Sequence, residues 1–261
     1  MLLLKKYDTI TLRKYVLTPE KEIFMLQNGI LTGIVWPEAV PPIVPLLLAF
    51  AISLLVPYLL GSINSALIVS RVFYGEDIRE KGSGNAGLTN AHRVYGKKAA
   101  GLVLLGDVLK MVLAIFIVGL LFGMKYGPYG FATNSLLYVA GTACILGHIF
   151  PVFFKFKGGK GVLCTAAMVL TLSPIAFAIL IAIFILVLVV TRYVSVASMT
   201  AGLAYPFVLD RTLAMCGAQG DGLMALLPMV LALLIVYCHR ANIIRLKEKR
   251  ENKFSFKKKD K

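Results

Sequence analysis

The chain has 261 residues, of which 58% are hydrophobic, and its mean hydropathy is +0.80. Only 16% of the residues are charged, well below the roughly one quarter usual in soluble domains, so a membrane domain is favoured over two soluble ones. The net charge of +15 does not indicate nucleic-acid binding, because Lys and Arg cluster between apolar stretches and at the C-terminus.

The apolar stretches predict an all-α, polytopic membrane protein of about seven transmembrane helices. One stretch, residues 161–191, is long for a single span. Proline starts helices better than it continues them, so we predict a short helix before Pro174 and a second helix after it. The remaining helices are predicted from about residue 43, at 99–122, at 135–154, at 192–209 and at 223–237.

Lys and Arg predict the orientation of these spans. Only Lys125 and Arg211 lie in the loops of one side, whereas the other side holds four basic regions, at 71–98, at 155–160, at Arg192 and from Arg240 onward. With seven spans, all four basic regions lie on the same side of the membrane. Cytoplasmic loops carry the excess of Lys and Arg in membrane proteins. We therefore predict that this side faces the cytoplasm.

Three parts of the chain are distinguished by composition. Residues 1–42 form an N-terminal extension that is either disordered or interfacial, 43–246 the membrane domain, and 247–261 a basic cytoplasmic tail at the lipid headgroups. The four cysteines form no CxxC pair, so neither a disulfide framework nor a zinc site is indicated. No metal and no cofactor are predicted.

The first polar island, GSGNAGLTNAHR (82–93), interrupts the apolar pattern after the first span. Its glycines, Gly87 among them, let the backbone approach a ligand closely. Arg93 offers a planar fork suited to phosphate. Short polar side chains are supplied by Ser83, Asn85, Thr89 and Asn90. The alternative is a solvated interhelical loop built from turn-forming residues.

The second island, GHIFPVFFKFKGGKGV (147–162), follows the third span. His148 lies at the inner end of that span, and Gly158, Gly159, Lys160 and Gly161 precede a predicted helix. A glycine loop that opens a helix is the general layout of a phosphate site, because backbone N–H groups point at the anion. Gly161 stands where a Walker A loop has Ser or Thr, so no nucleotide is indicated. The alternative is a tight turn whose lysines reach headgroups.

Other polar residues occur near the span ends. Asp107 and Lys110, three residues apart within a span, can share a helical face, and a neutralising pair is the simplest interpretation. Ser198 lies near the inner end of the sixth span, where serine commonly serves helix packing. His239 and Asn242 share one helical face at the inner end of the seventh.

The islands together resemble the bacterial acyl-phosphate:glycerol-3-phosphate acyltransferases. The resemblance covers roughly residues 45–246, with Asn64 standing where the family pattern often has proline. It rests on LLGSINSALIVSR (59–71), SGN-x-G-x-TN-x-x-R (83–93), GH-x-FP followed by FKGGKGV (147–162), RYVSVAS (192–198) and HR-x-NI-x-RL (239–246).

This resemblance implies an integral enzyme of the bacterial inner membrane, multi-pass, with its active site facing the cytoplasm. The implied reaction moves a fatty acyl group from acyl phosphate to the sn-1 hydroxyl of glycerol 3-phosphate. The products are lysophosphatidic acid and phosphate, in the first acylation step of phospholipid synthesis. Membrane lipid is the surrounding partner, and the oligomeric state stays open, a monomer included.

The resemblance also implies which residues form the site. The glycine loop would hold the phosphate of acyl phosphate, and Arg93 with His239 and Asn242 would hold glycerol 3-phosphate. The candidate catalytic residues are Ser83, Arg93, Lys160, His239 and Asn242. The candidate substrate-binding residues are Asn85, Gly87, Thr89, Asn90, His148, Gly158, Gly159, Gly161 and Ser198.

The alternative function is a membrane transporter of a small phosphorylated anion. The intramembrane Asp107 and Lys110 and the interrupted span at Pro174 would suit such a protein. Against it, the sequence shows no internal repeat, and the polar residues gather on one side instead of at the midplane.

Overall fold

The structure is a computed structural model that describes residue 29 and residues 43–123, 132–217 and 220–254. Within these residues the regular elements are helices, with no β-strand, which confirms the predicted all-α membrane class. The predicted N-terminal extension lies outside the described residues except for Gly29, and the basic tail is described as far as Phe254.

Ten α-helices follow one another through the described part of the chain. They are α1 (Ile43–Gly61), α2 (Ser65–Tyr74), α3 (Leu88–Tyr95), α4 (Lys97–Phe122), α5 (Ser135–Ile149), α6 (Val162–Leu172), α7 (Pro174–Thr191), α8 (Val194–Met215), α9 (Gly222–Cys238) and α10 (Arg240–Lys247). Two short 3₁₀ helices, Ile78–Glu80 and Val152–Phe154, lie in the polar islands.

Four segments of the described chain are long and apolar enough to cross a membrane. They are Leu46–Tyr74, Lys97–Phe122, Ser135–Phe154 and Pro174–Thr191. A fifth is added if α9 and α10, which meet at an angle of 51°, count as one span. The membrane class is thus supported, while the number of seven spans stays a prediction.

The interruption predicted at Pro174 is confirmed. Helix α6 ends at Leu172, and Pro174 occupies the first turn of α7. Proline lacks the N–H that a helix interior would need but fits its first turn. The break ends α6 after 11 residues.

Helices α1 and α5 pack with their backbones in contact. A Cβ atom on Gly61 would overlap the carbonyl of Cys144, and one on Gly147 would overlap the carbonyl of Tyr58. Small residues permit this close approach between membrane helices. The Tyr58 hydroxyl also donates to the Phe150 carbonyl at 2.8 Å. These contacts fix the end of α5, which carries His148.

Arg79 joins the two polar islands. Its guanidinium donates to the carbonyls of Phe154, at 3.1 Å, and Lys157, at 3.0 Å, and forms an ion pair with Asp77 at 2.6 Å. Hydrogen bonds from Arg79 hold the pKa of the Asp77 carboxyl well below its usual range, although partial burial opposes them. The islands are therefore held side by side.

Candidate functional site

A cavity of about 700 Å³ opens where the two islands meet α8, α9 and α10. Each of the four basic regions identified in the sequence contributes a residue to its wall or lies next to one. The candidate catalytic residues Ser83, Arg93, Lys160, His239 and Asn242 all line it.

Seven of the nine candidate substrate-binding residues also line the cavity: Asn85, Gly87, Thr89, Asn90, His148, Gly161 and Ser198. Gly158 instead borders a separate hollow of about 440 Å³ beside Asp77 and Arg79. Gly159 borders neither of these two spaces. The cavity thus brings together most of the predicted set.

The first island is only partly a loop, since Thr89, Asn90 and Arg93 stand on helix α3. Asn90 lines the cavity, and its amide is also engaged with the island's own backbone. It donates to the carbonyls of Ile78, at 3.3 Å, and Lys81, at 3.0 Å, and it accepts from the Ser83 N–H at 2.9 Å. Asn90 therefore shapes the loop that presents Ser83.

Two N–H groups of the glycine loop are bonded to backbone carbonyls within the protein. The Gly158 N–H donates to the Ile149 carbonyl at 3.0 Å, and the Gly159 N–H donates to the His148 carbonyl at 3.1 Å. Both groups are thereby withdrawn from any ligand. Side chains are excluded here as well, because a Cβ on Gly158 or Gly159 would overlap His148.

The N–H groups that remain available to a ligand lie at the end of this loop, where helix α6 begins. Helix α6 begins at Val162, with Gly161 as its N-cap at φ +77°, and no side chain in the described chain caps it. The first N–H groups of an uncapped helix carry partial positive charge and point away from the helix. Lys160, Gly161, Val162 and Leu163 all line the cavity, so this helix start faces the cavity.

Lys160 is linked to the opposite wall through Asn242. The Lys160 ammonium donates to the Asn242 side-chain oxygen, and the Asn242 amide donates to Glu251 at 2.6 Å. Glu251 also accepts from the Ser195 hydroxyl at 3.0 Å and from Arg245 at 2.8 Å. One carboxylate thus orients groups from α8 and α10.

The electrostatics of this cluster favour anion binding. Burial lowers the pKa of Lys160 to about 8, and the neighbouring Arg245 adds to the effect while Glu251 opposes it. Burial would raise the pKa of Glu251, but hydrogen bonds from Arg245, Asn242 and Ser195 bring it below its usual value. Four cations, Arg93, Lys160, Arg245 and Lys253, line the cavity, and an anionic ligand would relieve their mutual repulsion.

The hydrogen bonds of His239 define its tautomer. Its Nδ1 lies 2.7 Å from the Ile235 carbonyl oxygen. A carbonyl only accepts, so Nδ1 carries the proton and Nε2 of the neutral ring is left with a lone pair. His239 is 3% exposed and lines the cavity, so it can act there as a hydrogen-bond acceptor or a base.

Asp107 and His148 bring a buried charge to the cavity floor. Together with Cys164 they place three potential metal-ligand atoms within 4.8 Å of one another. The Lys110 ammonium lies 2.8 Å from the Asp107 carboxylate and 2.9 Å from His148 Nδ1. This ammonium supplies the positive charge that a metal ion would bring, so the group does not need a cation.

The rest of the cavity is an apolar groove between α6, α7, α8 and α9. Its lining includes Val169, Phe177, Leu180, Ile181, Phe184, Gly202 and Ile235. A groove of this composition can bury a hydrocarbon chain through the hydrophobic effect.

Sequence reasoning missed three polar residues of the network around Lys160 and Asn242, namely Arg245, Ser195 and Glu251. Arg245 could have been predicted from the sequence, because it lies three residues after Asn242 on the same helix. Ser195 resembles a helix-packing serine in the sequence, and only its contact with Glu251 reveals more. Glu251 stands in a lysine-rich run and carries no local signal, since its role depends on a chain reversal that brings the Phe254 N–H to the Arg192 carbonyl at 2.6 Å.

Comparison with known proteins identifies relatives of this chain. A protein-family model described as glycerol-3-phosphate acyltransferase matches residues 51–249. Glycerol-3-phosphate acyltransferase 2 of Bacillus cereus is 42% identical over 207 residues, which cover 79% of this chain and 96% of the relative. The glycerol-3-phosphate acyltransferase of Geobacillus kaustophilus is 43% identical over 204 residues, covering 78% and 95%.

Solved structures agree with these relatives. One is PlsY (YgiH), an integral membrane glycerol 3-phosphate acyltransferase, in its glycerol 3-phosphate form. It aligns with a TM-score of 0.68 at 34% identity and covers 79% of this chain and 96% of its own. The lysophosphatidic acid form of PlsY aligns with a TM-score of 0.65 at 33% identity.

Proposed function

Because the chain belongs to the glycerol-3-phosphate acyltransferase family, we propose that it acylates the sn-1 hydroxyl of glycerol 3-phosphate with acyl phosphate as donor. The products are lysophosphatidic acid and inorganic phosphate. The observation that carries the proposal is the composition of the cavity, which joins a cationic, N–H-rich end to an apolar groove. Acyl phosphate has this same polarity, with a phosphate head and a hydrocarbon tail.

The donor phosphate fits the start of helix α6. There Lys160, Gly161, Val162 and Leu163 line the cavity, and no side chain of the described chain caps the first N–H groups of the helix. The macrodipole and the free N–H groups at a helix N-terminus both favour an anion. With its phosphate held there, the acyl chain extends along the groove between α7 and α8.

Glycerol 3-phosphate fits between the first island and α10. Arg93 is exposed at the cavity wall and can take the phosphate through its planar fork. Ser83 and Asn242 offer polar groups to the glycerol hydroxyls. In this arrangement the cations of the cavity offset the repulsion between two anionic substrates.

The chemistry needs little beyond positioning. The sn-1 oxygen attacks the carbonyl carbon of acyl phosphate, the bond from that carbon to the phosphate oxygen breaks, and phosphate departs with the bonding electrons. The hydroxyl proton passes to His239 Nε2, which is the unprotonated nitrogen, or to the departing phosphate. Holding the hydroxyl and the activated carbonyl together supplies much of the rate enhancement.

A cytoplasmic site in the bacterial inner membrane is part of the proposal. All four basic regions of the sequence converge on or beside one cavity, and positively charged loops mark the cytoplasmic side. The site residues named above are likewise proposed from their position in this cavity and from the motifs that carry them.

Purified protein in detergent tests the proposal. We expect it to convert radiolabelled glycerol 3-phosphate to lysophosphatidic acid when acyl phosphate is the only donor, with an acyl thioester as the comparison. Transfer from the thioester alone would refute the proposed donor. Phosphate-anion flux in sealed vesicles without any acyl transfer in detergent would support the transporter alternative instead.

A further inference from the structure

A cluster of four buried polar side chains lies behind the glycine loop: Ser65, Asp107, Lys110 and His148. The exposed fraction is 1% for Asp107, 6% for Lys110 and 3% for His148. Asp107 Oδ1 accepts from the Ser65 hydroxyl at 2.9 Å and from Lys110 Nζ at 2.8 Å. The proposed reaction does not use the charges of Asp107 and Lys110, although burying them is unfavourable.

Lys110 sets the protonation of His148. The Lys110 nitrogen has three neighbours at bonding distance: Asp107 Oδ1 at 2.8 Å, the Ile63 carbonyl at 3.1 Å and His148 Nδ1 at 2.9 Å. An ammonium has three donors and no acceptor, so these three contacts saturate it. His148 Nδ1 must then accept, which places the proton of the neutral ring on Nε2.

His148 Nε2 lies at the glycine loop. It is the nearest atom to the position that a Cβ on Gly159 would occupy, next to the Ala86 carbonyl. His148 also lines the cavity. The ring therefore directs an N–H donor into the space between the two polar islands, close to the start of α6.

We propose that Asp107 and Lys110 are positioning residues that hold His148 as the Nε2–H tautomer, so that His148 donates a hydrogen bond to the phosphate oxyanion bound at the glycine loop. The inference rests on the proposed function. With the substrates placed as proposed above, the oxyanion is that of acyl phosphate, so the KM for acyl phosphate should rise in the double variant; a rise confined to the KM for glycerol 3-phosphate would overturn this assignment.

The competing explanation is that Asp107 and Lys110 only neutralise each other. Replacing a buried ion pair by neutral groups is often harmless to a fold, whereas removing one partner leaves an uncompensated charge. The informative variant is therefore the double substitution Asp107→Asn with Lys110→Met, which removes both charges and keeps an oxygen for Ser65. Mutual neutralisation predicts a folded enzyme with normal activity.

Positioning predicts a folded double variant whose kcat/KM is lower by roughly ten- to a hundredfold, the effect of losing one donor to a charged group. His148→Gln is the matched background, because a glutamine amide donates near the Nε2 position whatever Lys110 does. In that background the double substitution should change kcat/KM by less than about threefold. If Asp107 and Lys110 act through His148, the effect of replacing them depends on His148 being present, and such non-additivity is the mark of coupled residues. Lys98→Met, on an exposed lysine of α4, serves as the control.

Nitrogen NMR on ¹⁵N-histidine protein reads the tautomer directly, and the chain has only three histidines to assign. We expect an unprotonated Nδ1 at His148 in the wild type and a tautomer mixture in the double variant. A proton on Nδ1 in the wild type, or an equal loss of activity in both histidine backgrounds, would overturn the inference. Absence of acyl transfer in the wild type would refute the proposed function while leaving the NMR result intact.

Discussion

Substitution of Lys160 by alanine should separate activity from stability. The ammonium contacts Asn242, and burial, together with the nearby Arg245, lowers its pKa to about 8. A lowered lysine pKa means that the folded state holds this charge at a cost. Removing the charge should therefore leave the melting temperature unchanged or raise it, while the bound anion loses a partner.

The expected loss of activity follows from one charge-assisted hydrogen bond. Such a bond to a charged group contributes about 1.5–3 kcal/mol. At about 1.36 kcal/mol per factor of ten, Lys160→Ala should lower kcat/KM by roughly ten- to a hundredfold or more. Lys160→Arg should also be impaired, because a wider planar cation must fit beside Gly161 and between Arg93 and Arg245.

Initial rates at matched protein levels show the effect of each variant on activity, and melting temperatures of the same samples show its effect on stability. Lys98→Ala is the control, since Lys98 is exposed and outside the cavity. If Lys160 only reached toward lipid headgroups, both alanine variants would behave alike. Wild-type turnover in Lys160→Ala would refute the phosphate site at the start of α6.

Three further predictions concern the same cluster and its surroundings. Because the protonated form of Lys160 binds the anion and its pKa is about 8, kcat/KM should fall as the pH rises from about 7 to about 9, and Lys160→Ala should lack this decline. Glu251→Gln should move the decline to lower pH, because the Glu251 carboxylate raises the Lys160 pKa; an unmoved pH profile would contradict this. Finally, EDTA should leave activity intact, since Lys110 supplies the cation between Asp107 and His148; abolition by EDTA with rescue by zinc or magnesium would refute it.

Features with a strong local cause could be predicted from the sequence. Pro174 begins a helix, and this could be predicted because proline itself lacks the N–H that a helix interior needs but fits the first turn. The glycine loop predicts a helix directly after it, and Val162 does begin one. His239 and Asn242 both line the cavity, but they do not share the face of one helix, because His239 lies at the bend between α9 and α10 and Asn242 lies on α10.

Features that depend on the path of the chain could not be predicted. The glycines at positions 158 and 159 indicate a close backbone contact. The sequence does not indicate that their N–H groups bond to the carbonyls of Ile149 and His148. That pairing requires the chain to reverse after Pro151, with Lys155 and Phe156 in the left-handed region at φ 57°. A pattern of residue types identifies potential donors, whereas the tertiary fold decides which of them stay available.

His148 and His239 show how the fold assigns opposite chemistry to one residue type. His239 donates from Nδ1 to the Ile235 carbonyl and so keeps a lone pair on Nε2. His148 accepts at Nδ1 from Lys110, and in the tautomer we propose it keeps a proton on Nε2. The first can receive the proton of an attacking hydroxyl, and the second can donate to an oxyanion. An acyl transfer between two phosphorylated molecules can use both capacities, and the neighbours on the far side of each ring determine which capacity each has.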